Sequence, residues 1–285
     1  MNKMKLAVVL ALAGTGFYAQ SASAFTYDSQ NGDILIGFRS TSGSITTDYL
    51  IDVGHTLFAD AAAAPGQTLT IGNFGADLAR FDANWFTDGT TRWGVIADAQ
   101  AADADGSTLY AGISETAANH PFTSASLPTS YRPVTSNTQS GIISSYDTVG
   151  GNAQNGGAVV APGNSSVVGG GSYVPAAQVQ LQNAGNSASY FSVQNPSSGV
   201  SFGQFTSTAF EGAVGTTYGN NLDFIQINPS DSTAATPGSF YKGTFSIDST
   251  GTITYGPTSA VPEPSTFAAL AGGLSLLGFI RRRRA

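Results

Sequence analysis

The sequence predicts a mainly β body, built from antiparallel strands as a β-sandwich or jelly roll with one short helix. Short runs rich in Ile, Val, Phe, Tyr and Thr alternate with stretches of Gly, Asn, Asp and Pro, which is the pattern of short strands joined by turns. Charged residues make up only 10% of the chain, and the Lys and Glu residues that usually cover helix surfaces are scarce. The chain contains no cysteine, so a hydrophobic core must stabilise the body in place of a disulfide framework.

Five strands are predicted in the first half of the body. In the second of them, Tyr49, Ile51 and Val53 share one face, while Asp48 and Asp52 point the other way. This alternation predicts a half-buried strand. The five predicted strands span residues 33–39, 46–53, 67–71, 92–97 and 108–113.

One short helix is predicted over residues 76–86, between the third and fourth strands. Its apolar residues Leu78, Phe81 and Trp85 recur at a spacing of three to four, which places them on one helix face. We therefore expect this helix to lie on the sheet. The predicted strands of the second half span residues 189–193, 200–205, 224–227, 239–247 and 252–255.

The last two predicted strands carry a hairpin pattern. Phe245 and Ile247 can lie opposite Tyr255 and Ile253 across the four-residue loop 248–251, which offers a glycine for the left-handed turn position. Strands joined so closely along the chain are expected to pair in antiparallel fashion.

A glycine-rich segment separates the two halves. Residues 150–171 contain eight glycines and hardly any large apolar side chain, which predicts a mobile loop. Neither half alone has enough apolar strands for a closed sandwich. We therefore predict one domain over residues 25–258, with a division near this loop as the alternative.

The N-terminus has the pattern of a secretory signal peptide. Lys3 and Lys5 precede the apolar stretch 6–19, and small residues follow it up to Ala24. Ala22 and Ala24 occupy the positions that a signal peptidase reads, which predicts cleavage after Ala24. Residues 1–24 are therefore predicted to be removed on export.

The C-terminal residues 259–285 combine three features in a fixed order. The motif Val261-Pro262-Glu263-Pro264-Ser265-Thr266 comes first, then an apolar run over residues 267–280, and then the cluster Arg281, Arg282, Arg283 and Arg284. A helix of 14 residues is roughly 21 Å long against a hydrocarbon core of about 30 Å, which predicts a short and marginal transmembrane helix. The arginines are expected to stay on the cytoplasmic side, so the body lies outside the inner membrane.

This order of motif, helix and arginine cluster resembles the PEP-CTERM sorting signal of Gram-negative bacteria. The resemblance is confined to residues 261–285. It implies recognition by an exosortase, which is a membrane transpeptidase, and transient anchoring before release to the cell surface or the exterior. It also implies a setting of exopolysaccharide production and biofilm formation. The expected partners are signal peptidase, the exosortase, the inner membrane and exopolysaccharide.

Charge excludes one class of partner for the exported body. Residues 25–260 contain 5 Lys and Arg against 17 Asp and Glu, which gives a net charge of −12. Nucleic acid and anionic lipid require a basic surface that five scattered cations cannot build. Cations, neutral glycans and other proteins remain open as ligands.

Few residues in the body carry catalytic chemistry. His55 and His120 are the only histidines, and their separation of 65 residues fits neither a metal-ligand spacing nor a catalytic triad. Glu115 and Glu211 are the only glutamates in the body, and a glycosidase needs two carboxylates about 5 to 10 Å apart. No catalytic, cofactor or metal site is predicted.

Two further patterns have competing interpretations. Asp103 and Asp105 precede Gly106 but lack the other ligands of a calcium loop, so a turn is favoured over a weak cation site that would include Asp98. The two tryptophans are expected to pack in the core, with a sugar-stacking platform as the alternative. These tryptophans are Trp85 and Trp93.

Together these patterns predict a non-enzymatic, exported cell-envelope or extracellular-matrix protein with a structural or adhesive role. The alternative is a carbohydrate-binding module or a polysaccharide hydrolase that acts on the matrix. An exposed aromatic row beside Asp or Asn would favour binding, whereas two carboxylates that face each other in a cleft would favour hydrolysis.

Overall fold

The computed structural model describes residues 33–42, 47–54, 66–98, 108–117, 131–154, 178–183, 190, 210–233 and 236–257. In these ranges the chain forms ten strands and two helices. The strands are β1 (Ile34–Ser40), β2 (Thr47–Gly54), β3 (Leu69–Asn73), β4 (Thr91–Asp98), β5 (Leu109–Ser114), β6 (Gln178–Asn183), β7 (Gly212–Ala213), β8 (Asn221–Asn228), β9 (Gly238–Ile247) and β10 (Thr252–Pro257). The helices are α1 (Gly75–Phe81) and α2 (Ser136–Gln154).

The ten strands form one antiparallel sheet that curls into a nearly closed barrel. Its order is β3-β10-β9-β8-β5-β4-β1-β2-β6, and the short β7 pairs with β4. The predicted mainly β, antiparallel body is confirmed. The predicted division into two stacked sheets, as in a sandwich or jelly roll, is wrong because hydrogen bonding runs unbroken from β3 to β6. Strand twist lets such a sheet bury its inner face against itself.

The inner face of the sheet holds the larger core cluster. Alternate residues of the central strands point inward, and Trp93 of β4 stacks on Phe38 of β1 with ring centroids 6.0 Å apart. Tyr49 of β2 lies on the other side of Phe38, at 5.9 Å. The predicted apolar faces of β2 and β4 are confirmed by this packing.

Helix α1 covers part of the inner core with the face that the sequence predicts. Leu78 and Phe81 are buried there, and so is Trp85. The helix ends at Phe81, five residues before the predicted end, because Asp82 is extended and its carboxylate accepts a hydrogen bond from the Asn84 N–H at 2.9 Å. Trp85 therefore reaches the core from a turn.

Helix α2 packs on the outer face of the sheet and was not predicted. Its residues Ile142, Ile143, Tyr146 and Val149 are buried against outward-facing side chains of the strands. The helix is rich in Ser, Thr and Gly, which have low helix propensity, so burial of this apolar stripe overrides propensity. The prediction of a loop from residue 150 onward is wrong for residues 150–154, which belong to α2.

The outer face of β2 is more buried than the sequence predicts. Asp48 and Asp52 do point away from the inner core, but they are only 0% and 4% exposed, so the prediction of a half-buried strand is wrong.

Strand β6, which was not predicted, pairs with β2 along this edge. Strand β7 was also not predicted, and β8 begins three residues before its predicted start. The predicted strand over residues 200–205 lies outside the described residues, and so does that over residues 189–193 apart from Tyr190.

The predicted hairpin is confirmed. Ile253 lies opposite Ile247 and Tyr255 opposite Phe245 in the β9–β10 pairing. Gly251 takes the left-handed turn position with φ 83°. The Asp248 carboxylate accepts hydrogen bonds from the backbone N–H groups two and four residues ahead, at 2.8 and 2.9 Å, which fixes the loop.

Both predicted targeting segments lie outside the described residues. The cleavage site at Ala22 and Ala24, the motif 261–266, the helix 267–280 and the cluster 281–284 therefore stay predictions, as does the division into segments 1–24, 25–258 and 259–285. Among the helices that the structure describes, none has the length and apolar character needed to cross a membrane.

Candidate functional site

An open cavity of about 470 Å³, lined mainly by polar residues, lies where β1 ends and β4 begins. Ligand sites in proteins typically have volumes of about 300 to 1,000 Å³, so the cavity is large enough for a small polar molecule. Its lining contains four charged side chains, which are Arg39, Arg92, Glu115 and Glu211. In a body with only five cations, the fold places two of them here.

Strand pairing brings the two arginines together. Arg39 of β1 and Arg92 of β4 are directly opposite each other in the antiparallel register. Side chains at such positions share one face of the sheet, and two like charges opposite each other are destabilising unless a counter-charge intervenes. Here that counter-charge comes from Glu211, which immediately precedes β7 beside β4.

The ion pair between Arg39 and Glu211 forms the inner wall of the cavity. Arg39 Nη2 lies 2.6 Å from Glu211 Oε2, and Arg39 Nε donates to both carboxylate oxygens at 2.8 and 2.9 Å. The Glu211 side chain is 0% exposed and that of Arg39 is 6% exposed. Burial opposes the charge of Arg39, but the carboxylate of Glu211 raises its pKa, so the guanidinium stays charged. This pair is a rigid, charge-assisted anchor.

Tyr190 supports the ion pair from behind. Its hydroxyl donates to Glu211 Oε1 at 2.7 Å, and its side chain is buried. The ring rests on Gly37 of β1, where a Cβ atom would lie 2.4 Å from two ring carbons. Gly94 of β4, which is opposite Gly37, makes similar room for Phe210 and the Tyr190 hydroxyl. The two glycines thus form a trough that lets Tyr190 reach the carboxylate.

The opposite wall comes from the end of β5 and from the turn between β7 and β8. Glu115 follows β5, and its Oε2 accepts a hydrogen bond from Asn221 Nδ2 at 3.3 Å. The turn is held to the sheet by the indole N–H of Trp93, which donates to the Gly219 carbonyl at 2.7 Å. Hydroxyl groups complete the lining, from Thr41, Ser114, Thr216 and Tyr218.

Arg92 is the cation of the cavity that has no carboxylate to neutralise it. Its Nη1 donates to the carbonyl oxygens of Gly89 and Thr91, at 3.0 and 3.5 Å. Among the residues that the structure describes, no carboxylate lies within ion-pair distance of Arg92. The side chain is partly exposed, so its remaining N–H groups are available to a bound molecule.

The position of Tyr190 predicts a dependence of stability on alkaline pH. Burial, reinforced by the charge of Glu211, raises the pKa of Tyr190 well above its ordinary value of 10.0. The unfolded chain loses this proton near pH 10 while the folded chain keeps it, so the contribution of Tyr190 to stability falls as the pH rises above 10. We expect the wild type to lose about 1.4 kcal/mol more than Tyr190→Phe in total between pH 9 and 11, with most of the difference above pH 10, measured by urea unfolding. Equal slopes for the two proteins would contradict the assigned burial.

The structure answers several of the predictions about site residues. Trp93 is 0% and Trp85 6% exposed, so core packing is confirmed for both and the sugar platform is wrong. Asp98 is buried at the end of β4, and no group of three or more metal-ligating side chains occurs among the described residues. The remaining candidates, His55, His120, Asp103 and Asp105, lie outside the described residues.

Sequence reasoning selected the two glutamates of the cavity but not its arginines. Glu115 and Glu211 stood out as the only glutamates of the body, and the structure places both in one lining. Arg39 and Arg92 each sit at the end of a predicted strand, where a cation normally faces solvent. The signal that could have identified them is the scarcity of cations in the body. A charged residue that points outward on a strand covered by a helix needs a partner, so each of these arginines was a candidate for an ion pair.

Comparison with known families identifies the C-terminal segment. The family model of the PEP-CTERM protein-sorting motif matches residues 260–284. The predicted resemblance is therefore confirmed, and the motif implies an exported protein that an exosortase sorts after transient anchoring in the membrane. No curated protein and no solved structure shows significant similarity to the chain.

Proposed function

We propose that this chain is a non-enzymatic protein of the cell envelope or extracellular matrix, with a structural or adhesive role among exopolysaccharides. The observation that carries the proposal is the sorting motif at residues 260–284. Export through a signal peptide ending at Ala24, a short membrane helix over residues 267–280 and an orienting arginine cluster complete this route. The acidic charge of the body suits such a setting, since it favours solubility and disfavours nucleic acid.

The cavity supports a second candidate function, the binding of a carbohydrate. Its lining combines charged groups with several hydroxyls, so it offers both donors and acceptors to a polyhydroxylated ligand. A few well-placed polar groups in a concave site are what fixes the orientation of small ligands. This arrangement favours a binding module over a purely structural body.

Hydrolysis is less well supported, although two carboxylates line the cavity. A glycosidase uses one carboxylate as nucleophile or base and the other as acid, and both must reach the sugar. Both oxygens of Glu211 accept hydrogen bonds from Arg39, and Oε1 also accepts one from Tyr190. The carboxylate is therefore committed to the ion pair, which suits a positioning role in binding.

The tail test separates sorting from simple anchoring. We expect Glu263→Ala to leave membrane insertion intact and to block processing, because the extended Pro-Glu-Pro segment is the recognised element. Replacing Arg281, Arg282, Arg283 and Arg284 with Ser is expected to weaken retention and orientation of the marginal helix. The measurement compares intact mass and membrane fraction for the wild type and both variants, in hosts with and without an exosortase.

Two results would count against this route. If the C-terminal segment is only a membrane anchor, Glu263→Ala behaves as the wild type, because the motif is then no more than a stiff linker. A wild-type protein of the same full-length mass in both hosts would exclude processing. The matrix setting is tested separately, by whether the processed protein co-sediments with exopolysaccharide and is released when that polymer is enzymatically degraded.

A further inference from the structure

We propose that the cavity between β1, β4 and the β7–β8 turn binds a sugar acid, through its carboxylate and its hydroxyl groups. This inference rests on the carbohydrate-binding candidate function above and adds the chemical class of the ligand.

The carboxylate of the ligand is recognised by Arg92. This guanidinium lines the cavity, and among the described residues it donates only to the carbonyls of Gly89 and Thr91. An arginine has five N–H donors in a planar fork that matches a carboxylate, so free donors remain on Arg92. Its neighbour Arg39 adds positive potential from the opposite strand, although Glu211 neutralises most of it.

The hydroxyl groups of the ligand are recognised by the facing wall. The carboxylate of Glu115 lines the cavity and can accept hydrogen bonds. Its Oε2 already accepts a long hydrogen bond from Asn221 Nδ2, at 3.3 Å. Accepting carboxylates suit sugar hydroxyls, which donate. The hydroxyls of Thr41, Ser114 and Thr216 already donate to backbone carbonyls, so toward the ligand they act as acceptors for its hydroxyl groups.

The pairing of charges in the lining favours an anionic group on the ligand. The two arginines and two glutamates sum to zero, but Arg39 and Glu211 neutralise each other in the wall. Arg92 then faces the ligand with no carboxylate at ion-pair distance among the described residues, while the carboxylate of Glu115, which already accepts from Asn221, can accept further hydrogen bonds. A ligand that carries both an anionic group and hydroxyl donors satisfies both, whereas a neutral sugar leaves the guanidinium of Arg92 without an anionic partner.

The test is calorimetric titration of the full chain, held in detergent micelles, with trigalacturonate as the probe. We expect saturable binding of trigalacturonate, and at least tenfold weaker binding of the neutral trisaccharide maltotriose. Loss of one charge-assisted contact weakens binding by about 10- to 100-fold, so Arg92→Gln is expected to show that loss. Arg92→Lys, which keeps the charge and loses the fork, is expected to recover part of the affinity.

The control variant is Arg132→Gln, which removes an exposed arginine that does not line the cavity and is expected to leave binding unchanged. Arg92→Gln is expected to unfold at the same urea midpoint as the wild type. Such a result shows that any loss of binding is local and does not come from unfolding. Absence of saturable binding, equal affinity for maltotriose, or unchanged affinity in Arg92→Gln would each overturn the proposal. Equal binding of a tri-aspartate peptide would overturn the assignment to a sugar. None of these results bears on tail processing, so the sorting route stands or falls separately.

Discussion

Replacing Glu211 with glutamine is expected to lower the free energy of unfolding by about 3 to 5 kcal/mol. The substitution keeps the size of the side chain but removes its charge, which leaves the guanidinium of Arg39 buried without its carboxylate. Desolvation of Arg39 is then no longer offset by the bond at 2.6 Å. Equilibrium unfolding in urea measures the loss directly.

A matched control tests whether burial is the cause. A second ion pair joins Arg80 and Asp77 at 3.8 Å, with the arginine 45% exposed and the carboxylate 1% exposed. Arg80→Gln is expected to cost clearly less than Glu211→Gln, because the Arg80 guanidinium is largely solvated and lies farther from its partner. The double variant Arg39→Met with Glu211→Leu is expected to recover part of the stability, since it removes both buried charges but leaves the Tyr190 hydroxyl without its acceptor. A loss in Glu211→Gln as small as that in Arg80→Gln would contradict this account.

Replacing Trp93 with alanine is expected to destabilise the body by about 3 to 5 kcal/mol. The indole is fully buried, stacks on Phe38 and donates to the Gly219 carbonyl at 2.7 Å. The variant therefore opens a cavity in the core and leaves a carbonyl without its donor. Trp93→Phe, which keeps an aromatic ring against Phe38 but loses the hydrogen bond and part of the buried volume, is expected to cost about 1 to 3 kcal/mol.

Phe240 provides the matched control for this substitution. It is the exposed large hydrophobic residue of the described chain, at 40% exposure, so Phe240→Ala is expected to change stability by about 0.5 kcal/mol or less. Thermal or urea unfolding of the three variants gives the order of effects. If Trp93→Ala lost glycan binding without a change in the unfolding midpoint, the residue would not be a core residue.

Local periodicity predicted the inner face of the fold well. The alternation of Tyr49, Ile51 and Val53 and the hairpin across loop 248–251 both follow from neighbours in sequence, and both are present. Closure of the sheet could not be predicted in this way. It depends on pairing between strands far apart in sequence, such as β3 with β10, and two-residue periodicity does not specify the partner.

Helix α2 and the cavity could not be predicted from local sequence patterns either. The apolar stripe of α2 is short of strong helix formers, and it becomes stable only because the outer face of the sheet needs cover. The partner of Arg39 lies 172 residues away, so no local pattern links it to Glu211. Sequence reasoning could single out the rare charged residues, but only the strand order shows which of them meet.

The position of β10 determines how close the sorting machinery must come to the folded body. This strand is hydrogen-bonded on both sides, to β3 and to β9, and it ends at Pro257. Three residues separate Pro257 from Val261, so the Cα atoms of these two residues lie at most about 14 Å apart in a fully extended chain. A compact body of this length has a radius of gyration of about 17 Å, so the spacer is shorter than the body is wide. A transpeptidase that cleaves at the motif after folding must therefore fit against the margin of the sheet, and spacer length becomes the steric control on its access.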